Sequence, residues 1–205
     1  MAKKSLRNLI IFALVFIISC TTLPIKANAA SFLTGNKWGK STVSVYIDDT
    51  PYTSSIPSSF YSKMHSNCTA AIAIWNNSLI SEWKAKIKFT NATSAANADI
   101  VIKYGVPSSW AQTYPTTYSG TTTLKKVEIL ISDISFYSIV SNSEDQKNII
   151  THELGHALGL ANISVLDAVN NGIYSVMVEE VYPQAAQFTR EPSSFDGVNI
   201  HTLYK

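Results

Sequence analysis

The chain has 205 residues, 46% hydrophobic and 15% charged, with a formal net charge of +2. That length supports one domain with a real core, and that composition excludes a disordered chain. A charge this small gives no basis for nucleic-acid binding.

Lys3, Lys4 and Arg7 precede a short apolar run, Leu9 to Cys20, and "KANAAS" follows, with Ala27 and Ala29 at the small-residue positions of a cleavage site. The run is too short for a stable membrane span. Residues 1–29 therefore read as a secretory signal peptide, and 30–205 as one secreted, extracellular domain. A second reading stays open. "IISC", Ile17 to Cys20, resembles a lipobox, and Cys20 would then anchor the protein to the cell surface through lipid. Loss of residues 1–29 removes Lys3, Lys4, Arg7 and Lys26 and no acids, so 16 basic against 14 acidic residues become 12 against 14, a net −2. Only Cys68 is then left, so no internal disulfide can form. A cysteine-poor secreted chain suits a Gram-positive exporter.

After a polar lead-in, "STVSVYIDD" (Ser41 to Asp49) alternates apolar and polar residues and predicts a strand. Pro51 and Pro57 bracket a loop. From Ser58 to about Leu79 the period turns helical, with Phe60, Met64, Cys68, Ala71, Ile72, Trp75 and Leu79 on one face. Cys68 is expected in the core, and His65 on the surface. Ala85 to Asn91 and Ala98 to Gly105 predict two more strands. Val106 to about Thr123, rich in Pro, Ser, Thr and Tyr, reads as a loop. Lys126 to Ser132 predicts a fourth strand. This alternation indicates an α/β or α+β sheet domain. Ser143 opens a second helix, with Gln146 at capping-box spacing and Glu144 and Asp145 at the positive end of the dipole. Its core stripe is Ile150, Leu154, Ala157, Leu158 and Ala161. Gly159 is a plausible stop. A last helix is expected from Ser194 to Tyr204, with His201 on its surface.

"HELGHALGLAN", His152 to Asn162, carries the chemistry. His152 lies about 200° around the helix from Ile150, away from the core stripe. His152 and His156, one turn apart, can converge on one ion. Glu153 is offset by about 100°, beside the ion rather than on it. Zinc lowers the pKa of water towards ~7, and Glu153 can take the proton and deliver it to the leaving amine.

Together with "YSVM" (Tyr174 to Met177), this stretch resembles the metzincin zinc metallopeptidases, and among them a matrixin-type catalytic domain of secreted bacterial type. "AIAIWNNSLISEWKAKIKFTN", "ADIVIKYG" and "SSFDGVNIHTLY" are similar to further elements of that domain. The resemblance implies an α+β, zincin-like fold: a twisted mixed sheet with two main helices, one bearing the zinc site, and a smaller C-terminal part with a Met-turn and a final helix. It implies Zn2+ as cofactor, His152 and His156 as ligands, Glu153 as general base and Met177 beneath the metal. It implies a turn at Gly159 that returns the next ligand. Strand Lys126 to Ser132 would be the edge along which a protein or peptide substrate pairs, and Val178 to Pro192 would wall the pocket.

The third ligand departs from the family, which places a His or Asp where this chain has Asn162. A neutral amide oxygen is a weak zinc donor. Three accounts stay open: Asn162 ligates weakly, Asp167 or Glu179 moves in, or the site is degraded. Neither His65 nor His201 is placed for rescue. Residues 30–37 hold no cysteine or carboxylate for pro-segment inhibition, and no calcium-loop pattern occurs. The expectation is a monomeric, secreted zinc endopeptidase. Its rival is a catalytically impaired binding or surface protein of the same fold with a weakened metal site.

Overall fold

A computed structural model describes residues 32–179 and 191–204. The expected signal segment, Cys20 and most of the expected pocket wall lie outside these residues. Among them the fold is mixed α/β, with a six-stranded, mostly parallel sheet and five α-helices. The strands are β1 (Lys37–Trp38), β2 (Thr42–Ile47), β3 (Lys88–Asn91), β4 (Ile100–Tyr104), β5 (Ala111–Thr117) and β6 (Thr123–Ile131). The helices are α1 (Ser58–Asn76), α2 (Asp133–Ser138), α3 (Ser143–Ala157), α4 (Val165–Asn171) and α5 (Ser194–Leu203). No helix among the described residues is long and apolar enough to cross a membrane.

β2 lies between β3 and β4, and β4 pairs with β6, all in parallel. β1 pairs in parallel with the start of β6. β5 pairs antiparallel with β6 along nearly its whole length. This corrects two expectations. The segment read as a loop contains a strand, and β6 is interior to the sheet. The edge is β5. Its Pro115 is compatible with an edge because proline cannot donate to a ladder on both sides. The interior position of β6 explains its apolar content: Leu124, Val127, Ile129 and Ile131 are all buried.

Both long helices lie against the sheet, α1 touching β3 and α3 touching β5 and β6, and they pack on each other. The α1 stripe is buried as its period predicts, from Phe60 and Met64 through Cys68 to Trp75. Burial pushes the Cys68 thiol far up, so it is an inert core residue. The helix then loosens into a π-helical turn, Asn77–Glu82, which seats Leu79 in the core. Trp75 Nε1 donates to Thr151 O at 2.8 Å, tying α1 to the middle of α3.

The start of α3 differs in detail from expectation. Asn142 is the cap, its side chain accepting from Glu144 N. Ser143 Oγ instead donates to Asn67 Oδ1. Gln146 turns inward, accepting from Asn67 and donating to the carbonyls of Phe136 and Val140. A buried amide with every polar contact met fixes α3 against α1 and α2 more firmly than a surface cap would.

The end of α3 is held from three directions. Trp38 Nε1 donates to Ala157 O, Tyr204 Oη donates to Leu158 O, and Leu160 N returns to Gly155 O. These bonds satisfy carbonyls that a helix terminus leaves unpaired. Gly159 then turns the chain at φ +96°, and an added Cβ would meet Asn36 O at 2.2 Å. Glycine is required there on both counts. The lead-in crosses at this turn, with Thr34 N donating to Gly159 O and Ala161 N to Phe32 O. Ala161, placed by its period in the helical core stripe, lies beyond the helix and is only half-buried.

Candidate active site

The site forms where α3, β5 and the two segments after Gly159 meet. A cleft of about 610 Å³ is lined there by His152, Glu153, His156, Asn162 and Glu179, with Thr113 of β5 opposite. The sequence-predicted residues His152, Glu153, His156 and Asn162 are thus brought together. Asp167 is not part of the cleft lining. It sits in the first turn of α4, where its backbone N–H and carboxylate both bond to the capping residue Ser164. His65 pairs with Asp49 and His201 with Trp83 O, both on the surface, as their sequence positions suggest.

The two imidazoles are half-buried, with ring centres 4.7 Å apart and planes nearly perpendicular. His152 Nδ1 lies 2.9 Å from Val176 O, and His156 Nδ1 lies 2.9 Å from Leu160 O. A carbonyl can only accept, so both Nδ1 atoms carry the hydrogen. In each neutral ring Nε2 therefore keeps its lone pair. This is the carbonyl-anchored arrangement that orients metal-binding histidines.

Asn162 brings its amide to the same place. Its Nδ2 donates to Glu179 Oε1 at 2.8 Å, and its Oδ1 lies 3.1 Å from His152 Nε2. Two lone-pair atoms thus face each other with no hydrogen between them. With the amide in this orientation, a metal cation or a second proton on His152 satisfies the contact; a turned amide would satisfy it with its own N–H. Burial, and after it the neighbouring His156, hold the His152 imidazole below its ordinary range, which disfavours the proton. The separation is also near the roughly 3.3 Å kept by two ligands each ~2.0 Å from a tetrahedral ion. Among the described residues, no three His, Cys, Asp or Glu side chains converge as a metal-holding group. His152, His156 and Asn162 line the same cleft, with two imidazoles and one amide as its nitrogen and oxygen donors.

Glu153 is 7% exposed, on the side of α3 that faces β5. Its Oε2 lies 2.6 Å from Thr113 Oγ1, and the same hydroxyl lies 3.0 Å from Glu153 O. A hydroxyl has one hydrogen, and the ionised carboxylate is the stronger acceptor. Thr113 is the residue that sequence reasoning missed. It falls in the segment read as a loop, and only the alternation of "AQTYPTT" hinted at a strand.

Met177 lies under the histidine helix. A Cβ on Gly155 would meet its Sδ at 2.3 Å, so the glycine between Glu153 and His156 leaves room for the methionine. Ser175 Oγ and Val176 N donate to Asp196 of α5, whose carboxylate also takes Ser193 N. Burial pushes the Asp196 carboxyl up, against the pull of these bonds. This buried carboxylate fixes the turn from which Val176 O reaches His152. Asn148, one turn before His152, also lines the cleft, and its buried Oδ1 has no hydrogen-bond partner among the described residues.

No family model matches the chain, and no curated protein sequence matches it. The geometry of the cleft is the ground for a functional reading.

Proposed function

We propose that this chain is a secreted zinc-dependent endopeptidase of metzincin type. The carrying observation is the convergence of His152, His156 and Asn162 on one cleft, with His152 Nε2 and Asn162 Oδ1 3.1 Å apart and the buried Glu153 in the same lining. His152, His156 and Asn162 would hold the metal. When bound, zinc supplies a Lewis acid that acidifies water and polarises a peptide carbonyl.

The chain's own groups account for the rest. Glu153 accepts the proton of the attacking water at its carboxylate, holds it, and releases it to the departing amine nitrogen. Thr113 keeps that carboxylate on the cleft side of α3. Among the described residues no strand pairs with the other side of β5, and that edge would orient an extended peptide. Trp110 O accepts Ser132 N–H from the end of β6. Because main-chain groups alternate along an antiparallel strand, those of Ala111, Thr113 and Pro115 point away from β6. Pro115 has no N–H to offer there, so beside Glu153 the outward donors are the N–H groups of Ala111 and Thr113. A substrate strand would thus pair directly above Glu153.

Asn162 is the one feature that favours the rival, a binding protein of the same fold with a weakened metal site. The retained, buried Glu153 favours hydrolysis. Cleavage of casein or gelatin by the purified protein decides between them. Turnover abolished by a chelator and restored by zinc is expected. Zinc binding with no turnover on any unfolded protein substrate would leave the binding protein.

A further inference from the structure

Among the described residues Glu179 makes no hydrogen bond to His152 or His156, but it bonds to Asn162, which faces His152. The segment Met177 to Glu179 is fastened to the Asn162 loop by main chain. Ile163 N donates to Met177 O, and Glu179 N donates to Ile163 O, each at 2.8 Å. Glu179 is therefore held beside Asn162 independently of its side chain. Its carboxylate then takes Asn162 Nδ2 at 2.8 Å.

The Asn162 carboxamide has two orientations of nearly equal shape. In the one present, Nδ2 meets the carboxylate and Oδ1 meets His152 Nε2. In the flipped one, Nδ2 would donate to His152 Nε2, and Oδ1 would face the Glu179 carboxylate. The flipped amide would close the site, because a hydrogen bond would occupy the lone pair that a metal needs. A carboxylate is a stronger acceptor than a neutral imidazole, so its charge-assisted bond decides the contest.

We propose that Glu179 is a positioning residue: it locks the Asn162 carboxamide with Oδ1 toward His152 and so keeps the third donor available to a divalent metal. The inference rests on the zinc reading above and adds a residue to it. It also explains how a neutral amide can serve in that place. The carboxylate polarises the amide through its N–H, which places more negative charge on Oδ1.

The test compares wild type with E179A, E179Q, N162H and the N162H/E179A double variant. Zinc affinity is read by competition with a chromophoric chelator. The orientation is read in metal-free protein from the 15N signal of His152 Nε2. E179A should lose about 10–100-fold in zinc affinity, the usual cost of removing such a supporting group. E179Q keeps an oxygen acceptor for Nδ2 but not the charge, so it should recover only part of that loss. In N162H there is no amide to orient, so adding E179A should change its affinity little. In metal-free E179A the His152 Nε2 signal should move upfield as the flipped amide donates to it. A loss on adding E179A to N162H as large as that of E179A in the wild type would make Glu179 a direct ligand and overturn the proposal. So would an Nε2 signal that does not move in E179A. If wild type binds no zinc, the zinc reading fails, and the metal-free signal still decides the orientation.

Discussion

The two histidines and Asn162 reach one cleft by different means. His152 and His156 stand on a helix interior, with their spacing set by 3.6 residues per turn and their rings anchored by main-chain carbonyls. Asn162 stands on the loop after Gly159, and an exposed carboxylate sets its orientation. The first half of the site is positioned by buried backbone and changes little with its surroundings. The second half depends on side chains at the rim. If the cleft holds zinc as proposed, its strong donors would keep their geometry while the weak donor stayed adjustable.

The largest effects should come from the rigid half. H152A and H156A should each lose stoichiometric zinc and all turnover while keeping the wild-type circular dichroism spectrum, because two imidazoles supply most of the affinity. A variant that still binds zinc tightly would place the site elsewhere. E153Q should bind zinc as wild type does and lose about 10²–10⁴ in kcat, the range attributable to a general base. Full activity in the pure variant would remove Glu153 from the mechanism.

Gly159 joins the two halves. G159A must place a Cβ 2.2 Å from Asn36 O at a φ of +96°. A loss of about 1–3 kcal/mol in denaturant unfolding is expected from the strain. An unchanged midpoint would show that the crossing of the lead-in under this turn is loose. At the rim, N162H should bind zinc more tightly than wild type, given room for the ring, because imidazole is the better donor. Weaker binding in a folded N162H would mean that another group completes the site. The smallest effect expected is that of T113V, which removes one hydrogen bond to the Glu153 carboxylate. At about 1 kcal/mol this is roughly fivefold in kcat, with zinc affinity unchanged. A T113V enzyme with wild-type kcat would free Glu153 from any dependence on β5.

The same division describes how much the sequence revealed. The histidine helix, Glu153 and the turn at Gly159 are local features, readable from spacing along a few residues. The long helix α1 and strands β2, β3, β4 and β6 are likewise carried by period. What could not be read is non-local. β5 contains Pro115, lies beside a Gly120 turn, and becomes a strand through its register with β6. With β5 unseen, β6 looked like the edge, and Thr113 had no reason to stand out. The two-residue β1 and the short helices α2 and α4 carry too few residues for a period. The lead-in looked like an idle segment because its partners, Gly159 and Ala161, lie over 120 residues away in sequence. The meeting of Asn162 with Glu179 depends on a main-chain bridge between Ile163 and Val178 that no pattern announces.

The central claim is that His152, His156 and Asn162 share one metal ion. Anomalous diffraction at the zinc absorption edge from crystals grown with zinc tests it most directly. The account predicts a single peak about 2.0–2.2 Å from His152 Nε2, His156 Nε2 and Asn162 Oδ1. No peak between the two imidazoles, or a peak there with Asn162 turned away and another side chain bound in its place, would contradict it.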